Sequence, residues 1–281
     1  MLLLNDSQAA TLRERSLDLL EAFHVLMPVR ATYKWLRYAT NVKLHIRNAR
    51  FRRKGVPDGL PLQPPRLIDY VSGMHDVEAF YCIGQEGVDN ISKNLAKNGL
   101  SIDRFGAVLD FGCGCGRILR HMGYRFKDVK FFGTDYNPLL IEWCRENLRF
   151  AQFNVNALAA KLPYEDGQFD FAYTISVFTH LPEKECFFWL AELRRILKPG
   201  GYLYITVNGS FDFRTAKQKE AFDRGEIVVQ HASLPGAGPC HTYHPEAYIR
   251  KHYADGFDIV DFIPQGQVDT ARQDVLLLRR R

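Results

Sequence analysis

The stretch LDFGCGCGRI, residues 109–118, places an acidic residue, three glycines and two cysteines directly after an apolar run. Cysteines can hold a metal or form a redox pair, whereas glycines let backbone amides approach a ligand closely and tolerate positive φ angles. A zinc site needs about four ligands, and no second Cys or His pair stands at a matching spacing. We therefore expect no metal site, and we interpret Cys113 and Cys115 as small buried side chains in a ligand-binding glycine loop.

The spacing of the glycines shows which known ligand-binding motifs this loop does not match. Gly112, Gly114 and Gly116 alternate with single residues and are followed by Arg117, so the dinucleotide fingerprint G-x-G-x-x-G is absent. The phosphate loop G-x-x-x-x-G-K-[ST] is absent too. An acidic residue, Asp135, stands nineteen residues beyond Gly116. Because neither phosphate-binding motif is present, we expect the loop to bind a ligand of another kind.

The glycine loop lies within an alternation of short apolar runs and amphipathic segments. The apolar runs predict strands over 107–111, 129–135, 149–156, 169–176 and 201–208. The amphipathic segments predict helices over 66–100, from Gly116, from Asn137-Pro138 and over 186–201. Two last strands, 257–264 and 274–280, predict an antiparallel hairpin at one edge. This order indicates an α/β fold with a parallel sheet, helices on both faces, and ligands at the carboxyl ends of the strands.

The composition is that of a globular protein. Of the 281 residues 46% are hydrophobic and 25% are charged, which allows one large α/β domain with an additional segment. No apolar run approaches the ~18 residues of a membrane span, and the first residues do not resemble a signal peptide, so we expect a cytoplasmic protein. Six cysteines without a CxxC pair indicate reduced thiols rather than a disulfide framework.

A basic segment precedes the alternating region. Between Ala22 and Pro57 there are nine Lys or Arg and no Asp or Glu, whereas the other 28 basic residues are outnumbered by 32 acidic ones. Apolar residues at helical spacing predict an amphipathic helix with one face formed by Trp35, Tyr38, Ala39, Val42, Ile46 and Ala49. The Gly- and Pro-rich residues 55–65 predict a linker or wrapping loop. We therefore divide the chain into a helical N-terminal extension with its linker, 1–65, and a domain over 66–281.

Four segments carry a family resemblance: VLDFGCGCGR, GTDYNPLLIEWCREN, NALAAKLPYEDGQFDFAYTISVFTHL and LRRILKPGGYLYITV. In this order and spacing, over about 105–207, they resemble the class I S-adenosylmethionine-dependent methyltransferases. The C-terminal hairpin is similar to the antiparallel edge of that family's sheet, which extends the resemblance to roughly 100–281. The resemblance implies a seven-stranded, mostly parallel sheet and S-adenosylmethionine as the cofactor. Residues before 66 lie outside it.

The resemblance also implies a role for single residues around the methionine and ribose parts of the cofactor. The loop from Asp110 to Gly116, with Gly112, Cys113 and Gly114 inside it, would hold those parts. Asp110 would act on the ammonium group, directly or through water. Asp135 would accept hydrogen bonds from both ribose hydroxyls, and a carboxylate suits a diol because it offers two acceptor oxygens.

The same resemblance places further residues at the adenine and at the transferred methyl group. Tyr136 would pack along the adenine edge, although core packing explains an aromatic residue there nearly as well. Asn156 stands where the family often has an Asp that contacts the adenine amino group, with the amides of Ala157 and Leu158 nearby. An Asn oxygen can accept from that amine equally well. Ser176, after the fourth strand, would lie near the methionine and the methyl group.

Methyl transfer from a sulfonium needs mainly in-line positioning of the nucleophile and sometimes removal of its proton. His180 in VFTHL is a candidate base or substrate contact, and a structural role is the alternative. In CHTYHPEAYIR we name His241 and Tyr243 as candidates that face the substrate. The following His244 begins a helix in our interpretation and is predicted to be a cap or surface residue. Phe80 and Tyr81 either cover the cofactor or pack into the core.

We expect a methyltransferase that acts on an oxygen or nitrogen of a small molecule. The alternatives are a methyltransferase of RNA, protein or lipid that grips its substrate through the basic segment, and a non-catalytic cofactor-binding scaffold. The tetrapeptide [DN]-P-P-[YF] of base methylation is replaced by TISV after the fourth strand, which disfavours nucleic acid bases. Three roles stay open for the basic residues 22–57: a lid over the active site, binding of an anionic partner such as a membrane surface, and support of a homo-oligomer.

Overall fold

The computed structural model describes Thr32, Leu36 and residues 38–209, 215–232, 240–268 and 272–281. The chain divides into two compact units, Met1–Gly55 and Val56–Arg281. This division comes before the predicted boundary at residue 65, because the wrapping loop binds the second unit. Asp58 forms a buried ion pair with Arg120 at 2.8 Å, and Gln63 donates from Nε2 to the Cys115 carbonyl oxygen at 3.0 Å.

The first unit contains helix α1 (Val42–Lys54), which begins where the Asn41 side chain accepts a hydrogen bond from the Leu44 amide. The predicted apolar face is only partly within the described residues, since Trp35 lies outside them. Val42 and Ile46 on that face are 64% and 49% exposed. Basic side chains occupy the last turn of α1, and its first turn has no acidic residue.

Nine strands are present in the described part of the chain: β1 (Ala107–Phe111), β2 (Lys130–Asp135), β3 (Ala151–Val155), β4 (Phe169–Thr174), β5 (Leu197–Val207), β6 (Val228–Gln230), β7 (His241–Tyr243), β8 (Phe257–Gln267) and β9 (Gln273–Arg280). Seven of them form one sheet in the order β3-β2-β1-β4-β5-β9-β8. Strands β1 to β5 are parallel, and β9 is antiparallel to both β5 and β8. The predicted seven-stranded sheet with an antiparallel C-terminal hairpin is therefore confirmed, and β6 and β7 form a separate ribbon.

The described helices of the second unit are α2 (Pro65–Ser72), α3 (Val77–Lys97), α4 (Leu119–Arg125), α5 (Pro138–Asn147), α6 (Glu183–Ile196), α7 (Ala216–Asp223) and α8 (Glu246–His252). Helix α5 begins at Pro138 as predicted, with Asn137 accepting from the Leu139 amide. The predicted helix over 186–201 is wrong at its end, because α6 stops at Ile196 and β5 starts at Leu197. Pro199 cannot donate a helical hydrogen bond, so the chain leaves the helix before it.

Two hydrophobic clusters cover the two faces of the sheet. Val108 of β1 belongs to the cluster that contains residues of α3, α4 and α5, whereas its neighbour Leu109 belongs to the cluster with residues of α6 and α8. This alternation follows from the opposite directions of successive side chains in a strand. The prediction of helices on both faces is therefore confirmed. Because β9 is antiparallel to β5, its first residue lies at the edge where the parallel strands end.

Within the described residues, the helices do not combine the length and apolarity that crossing a bilayer requires. The cytoplasmic location stays a prediction.

Candidate functional site

A cavity of about 480 Å³ lies at the carboxyl edge of the sheet. It is lined by residues that follow β1, β2, β3, β4 and β5, together with residues from α2, β7 and the start of β9. Nine residues assigned to the cofactor by resemblance line it: Asp110, Gly112, Cys113, Gly114, Asp135, Tyr136, Asn156, Leu158 and Ser176. Gly116 and Ala157 are not among its lining residues. The edge predicted from the strand–helix alternation thus holds the cavity.

The glycine loop after β1 is held against the end of β2. The amides of Gly112 and Cys113 both donate to the Thr134 carbonyl oxygen, at 2.8 and 3.0 Å. Gly112 has a φ of 78°, and a Cβ there would collide with Cγ2 of Val177. Gly116, with a φ of 73°, packs against Leu148, whose Cδ1 a Cβ would meet. The first glycine therefore keeps the loop close to the β4 end, and the last serves helix packing.

The cysteines of the loop are packed, protonated thiols. Cys113 and Cys144 each place Sγ 3.6 Å from the Gly114 carbonyl oxygen, and Cys115 is fully buried next to Leu67. Burial raises the pKa of both Cys113 and Cys115 well above that of a free thiol. The described residues contain no group of three or more His, Cys, Asp or Glu side chains placed to hold a metal ion. The geometry gives these thiols a packing role.

Two buried carboxylates face the cavity from neighbouring strands. Asp110 Oδ2 accepts a hydrogen bond from the Tyr173 hydroxyl at 2.9 Å, and burial raises the Asp110 pKa to about 7 against the lowering effect of that bond. Asp135 accepts from the amides of Gly114 and Asn137, each at 2.9 Å, and burial raises its pKa as well. Each Asp135 oxygen keeps acceptor capacity, because a carboxylate oxygen has two lone-pair sites.

Arg117 also lines the cavity, and the sequence analysis gave it no role. Its guanidinium lies over the Phe80 ring at 5.7 Å, and in the described ranges no carboxylate forms an ion pair with it. Its charge lowers the pKa of Asp110, though less than burial raises it. The glycine-loop end of the cavity therefore carries a cation beside its carboxylates. Its position directly after Gly116 was the signal that could have identified it.

The side of the cavity next to β3 is less polar. Tyr136 and Leu158 expose large surfaces there. Asn156 Oδ1 accepts from the Thr134 hydroxyl at 2.9 Å, and its Nδ2 donates to the Ala157 carbonyl oxygen. The predicted adenine contact of Asn156 would therefore use the remaining acceptor capacity of that oxygen.

The opposite end of the cavity is formed after β4. Ser176 has a φ of 59°, an unusual value for a serine, and its amide donates to Thr206 Oγ1 at 2.8 Å. Its hydroxyl donates to Oε1 of Gln273 at 3.0 Å. Sequence reasoning missed Gln273, because ninety-seven residues separate it from Ser176. The antiparallel direction of the last strand was the signal that could have placed it here.

The candidate catalytic residues are only partly brought together. His180 and His241 both line the cavity with ring centroids 5.3 Å apart. His180 donates from Nδ1 to the Cys240 carbonyl oxygen at 2.6 Å, and burial lowers its pKa. This bond leaves Nε2 as the unprotonated nitrogen of a neutral ring. Tyr243 is not among the lining residues, because it is buried in the ribbon opposite Val228.

The prediction for His244 is wrong. It is fully buried, its Nε2 lies 3.9 Å from Sγ of Cys186, and the helix-capping residue is Pro245. Burial lowers the His244 pKa to about 3, so the ring is neutral and acts as a core residue. Phe80 and Tyr81 are also buried in the core and do not line the cavity, which favours the packing alternative for both.

Comparison with known proteins identifies the domain. A family model described as a methyltransferase domain matches residues 108–201, which include the glycine loop, Asp135 and Ser176. The chain contains a methyltransferase domain. This match covers a third of the chain, and together with the sheet order it supports the resemblance to the class I S-adenosylmethionine-dependent methyltransferases.

Individual relatives of the methyltransferase domain are distant. A sterol 24-C-methyltransferase of Schizosaccharomyces pombe is 31% identical over 121 residues, which are 40% of this chain and 31% of that protein. A fatty-acid O-methyltransferase of Mycolicibacterium smegmatis is 32% identical over 100 residues, 35% of this chain and 36% of that protein. The matches thus span about a third of the length of these curated relatives.

A solved structure shares the fold of the methyltransferase domain. It is the 1,6-didemethyltoxoflavin-N1-methyltransferase of Burkholderia thailandensis, with 1,6-didemethyltoxoflavin and S-adenosylhomocysteine bound. The TM-score is 0.51 at 17% identity, over 78% of this chain and 92% of that one.

Proposed function

We propose that this chain is a methyltransferase that binds S-adenosylmethionine in the cavity at the carboxyl edge and methylates an oxygen or nitrogen of a small molecule. The observation that carries the proposal is the set of charges on one end of the cavity: buried Asp110 and Asp135 with Arg117 beside them. Relatives named for a sterol and a fatty acid support a small-molecule acceptor.

The charged end fits the amino-acid part of the cofactor. Asp110 keeps a carboxylate oxygen for an ammonium group while Tyr173 holds the other, and the unpaired guanidinium of Arg117 suits a carboxylate. Burial makes ionisation of the Asp110 carboxyl unfavourable and raises its pKa to about 7. A bound cation would stabilise the ionised form. We infer that these two side chains bind the methionine zwitterion.

The end of β2 fits the ribose. Asp135 uses one acceptor site of each oxygen on the amides of Gly114 and Asn137, and the Tyr136 amide also stabilises this carboxylate. The acceptor capacity that remains suits a ribose hydroxyl. Gly112 lies too close to Val177 for a side chain to fit, so the loop carries none at that position. Tyr136, Asn156, Ala157 and Leu158 remain our proposed adenine contacts.

The bound cofactor supplies a methyl group that is already activated as a sulfonium. The protein then has to position the acceptor and take its proton. The hydrogen bond from Nδ1 of His180 to the Cys240 carbonyl oxygen leaves Nε2 unprotonated. We propose that Nε2 takes up the proton of the acceptor as a general base. His241 is proposed as a substrate contact next to it, whereas Tyr243, away from the cavity, is not retained.

The open acceptor end favours an enzyme over a scaffold. A non-catalytic module can fill its acceptor site with its own side chains, but here the cavity continues from Asp135 to His241 and Gln273. An anionic partner for residues 22–57 stays a proposal, supported by the basic last turn of α1. Homo-oligomer formation also stays a prediction.

Calorimetric titration with S-adenosylhomocysteine tests the cofactor proposal. Asp135→Ala should raise the dissociation constant by about a hundredfold or more, because it removes two charge-assisted hydrogen bonds. The matched control is Cys115→Ala in the same loop, whose side chain is buried away from the cavity and whose removal should leave binding nearly intact. Absence of binding by the parent protein, or equal affinity of parent and Asp135→Ala, would refute the proposal.

A further inference from the structure

Gln273 is a buried amide with one half unused. Its side chain is 4% exposed, and Oε1 accepts the Ser176 hydroxyl at 3.0 Å. The other half, Nε2, has no hydrogen-bond partner in the described part of the chain, and Gln273 lines the cavity. This NH2 group is therefore a donor open to a molecule that enters the cavity.

Asn208 provides an acceptor next to this donor. Val207 of β5 pairs with Asp274 of β9, so Asn208 and Gln273 are the next residues beyond that pair on adjacent strands. Asn208 donates from Nδ2 to the Thr242 carbonyl oxygen at 3.1 Å, and its Oδ1 accepts no hydrogen bond from the described residues, so this oxygen can accept one from a ligand. Both residues line the cavity. One donor and one acceptor therefore stand side by side at the edge of the sheet.

This end of the cavity is uncharged. Among the described lining residues, the charged ones are Asp110, Asp135 and Arg117, which lie in the last residues of β1 and β2 or in the segment after β1. The residues that follow β4 and β5 or begin β9 carry hydroxyl, amide and imidazole groups. Apolar walls come from Ile175 and Leu181, which follow β4. Among the described residues that line this end, no charged side chain would replace the hydration of a charged acceptor.

We propose that Gln273 and Asn208 form the acceptor subsite, and that it takes an apolar molecule whose uncharged polar group both accepts and donates a hydrogen bond. The inference rests on the proposed methyltransferase function and narrows its acceptor to neutral amides and alcohols. It excludes the carboxylate of a fatty acid, although a fatty-acid O-methyltransferase is among the relatives.

The alternative role for Gln273 is structural. Its Oε1 supports Ser176, whose positive φ needs such support, and that role does not involve Nε2. Gln273→Glu separates the two roles, because the carboxylate still accepts from Ser176 but cannot donate to a ligand. Asn208→Leu removes the acceptor without adding charge. Gln152→Glu, on the exposed side of β3, introduces the same charge outside the cavity and is the matched control.

The test uses the full chain loaded with S-adenosylhomocysteine and two probes of equal size, octanamide and octanoate. Calorimetry first establishes that parent and variants bind S-adenosylhomocysteine with similar affinity, and ligand-observed NMR then gives the dissociation constants of the probes. The parent should bind octanamide about tenfold more tightly than octanoate, because the site rejects a group that cannot donate. Asn208→Leu should remove that preference, because it removes the acceptor that octanoate leaves unpaired. Gln273→Glu should weaken octanamide binding about tenfold, because it removes the donor to the amide carbonyl oxygen, and Gln152→Glu should change neither quantity.

Failure of the cofactor proposal and failure of this subsite give different results. Loss of S-adenosylhomocysteine binding by the parent refutes the cofactor proposal. With that binding intact, equal or tighter binding of octanoate overturns the neutral subsite. So does an unchanged octanamide affinity in Gln273→Glu, an unchanged octanamide preference in Asn208→Leu, or absence of octanamide binding at millimolar concentration.

Discussion

The two ends of the cavity differ in charge. The cofactor end, formed by the glycine loop and the end of β2, holds two buried carboxylates and an arginine. The acceptor end, formed after β4 and β5 and at the start of β9, holds amides, hydroxyls and two histidines. Burying charge is unfavourable unless an opposite charge enters, whereas neutral polar groups need only hydrogen bonds. The comparison indicates a charged ligand at one end and an uncharged one at the other.

Three further substitutions test this comparison, and among them Asp110→Asn is expected to change cofactor affinity most. The asparagine keeps an acceptor for the Tyr173 hydroxyl but removes the charge that faces the ligand's ammonium. At pH 7.5 the dissociation constant for S-adenosylhomocysteine should rise by about thirtyfold, the value of a hydrogen bond between charged groups. Isothermal titration calorimetry measures this change.

The pH dependence of the same binding provides the control. Because burial raises the Asp110 pKa to about 7, the carboxyl is mostly protonated at pH 6 and mostly ionised at pH 7.5. The affinity of the parent should therefore rise roughly sevenfold between these pH values. The free protein behaves oppositely: a raised carboxyl pKa stabilises the fold at low pH, and this stabilisation is lost as the pH rises through about 7. If Asp110→Asn kept the parent's pH profile, the pH dependence of the affinity would belong to another ionisable group.

The cofactor end was largely predictable from the sequence, because its residues lie in contiguous motifs. Asp110 to Gly114 form one loop, and Asp135 and Tyr136 follow the next strand, so strand–loop–helix spacing was enough to place them together. The sheet and its antiparallel hairpin were predictable for the same reason, since each strand is a local apolar run. Arg117 was missed because a basic residue at a helix start also fits a solvated surface.

The acceptor end was not predictable in this way, because its residues come from distant segments. Gln273 meets Ser176 only through the pairing of β5 with β9. Tyr243 and His244 illustrate the opposite error. Tyr243 was predicted on a loop that faces the substrate and His244 as a helix cap or surface residue, but packing near Val228 and Cys186 buries both. Tertiary packing, which spacing does not encode, decided which of these side chains face the cavity.

A smaller effect is expected for Arg117→Leu. The leucine retains packing on the Phe80 ring but removes the guanidinium, the cation of the cofactor end. Because Arg117 is half exposed, its pairing with a ligand carboxylate is screened, and the dissociation constant for S-adenosylhomocysteine should rise about fivefold. The decarboxylated analogue of that ligand is the control, since its affinity should not differ between parent and variant. An equal loss for both ligands would show that Arg117 shapes the loop rather than binding a carboxylate.

The smallest effect on cofactor affinity is expected at the acceptor end, for His180→Gln. The glutamine amide can still donate to the Cys240 carbonyl oxygen, so the segment that carries His241 keeps its anchor, while the unprotonated nitrogen is lost. Binding of S-adenosylhomocysteine should change by less than about twofold, whereas methyl transfer to a screened acceptor should fall about a hundredfold, within the range of general base catalysis. Transfer of labelled methyl from S-adenosylmethionine measures the second quantity. Because burial lowers the His180 pKa, the ring stays neutral at pH 7, and the parent should lose this contribution only at more acidic pH. A large loss of cofactor affinity in His180→Gln would break the division of the cavity into two ends, because a residue of the uncharged end would then be holding the charged ligand.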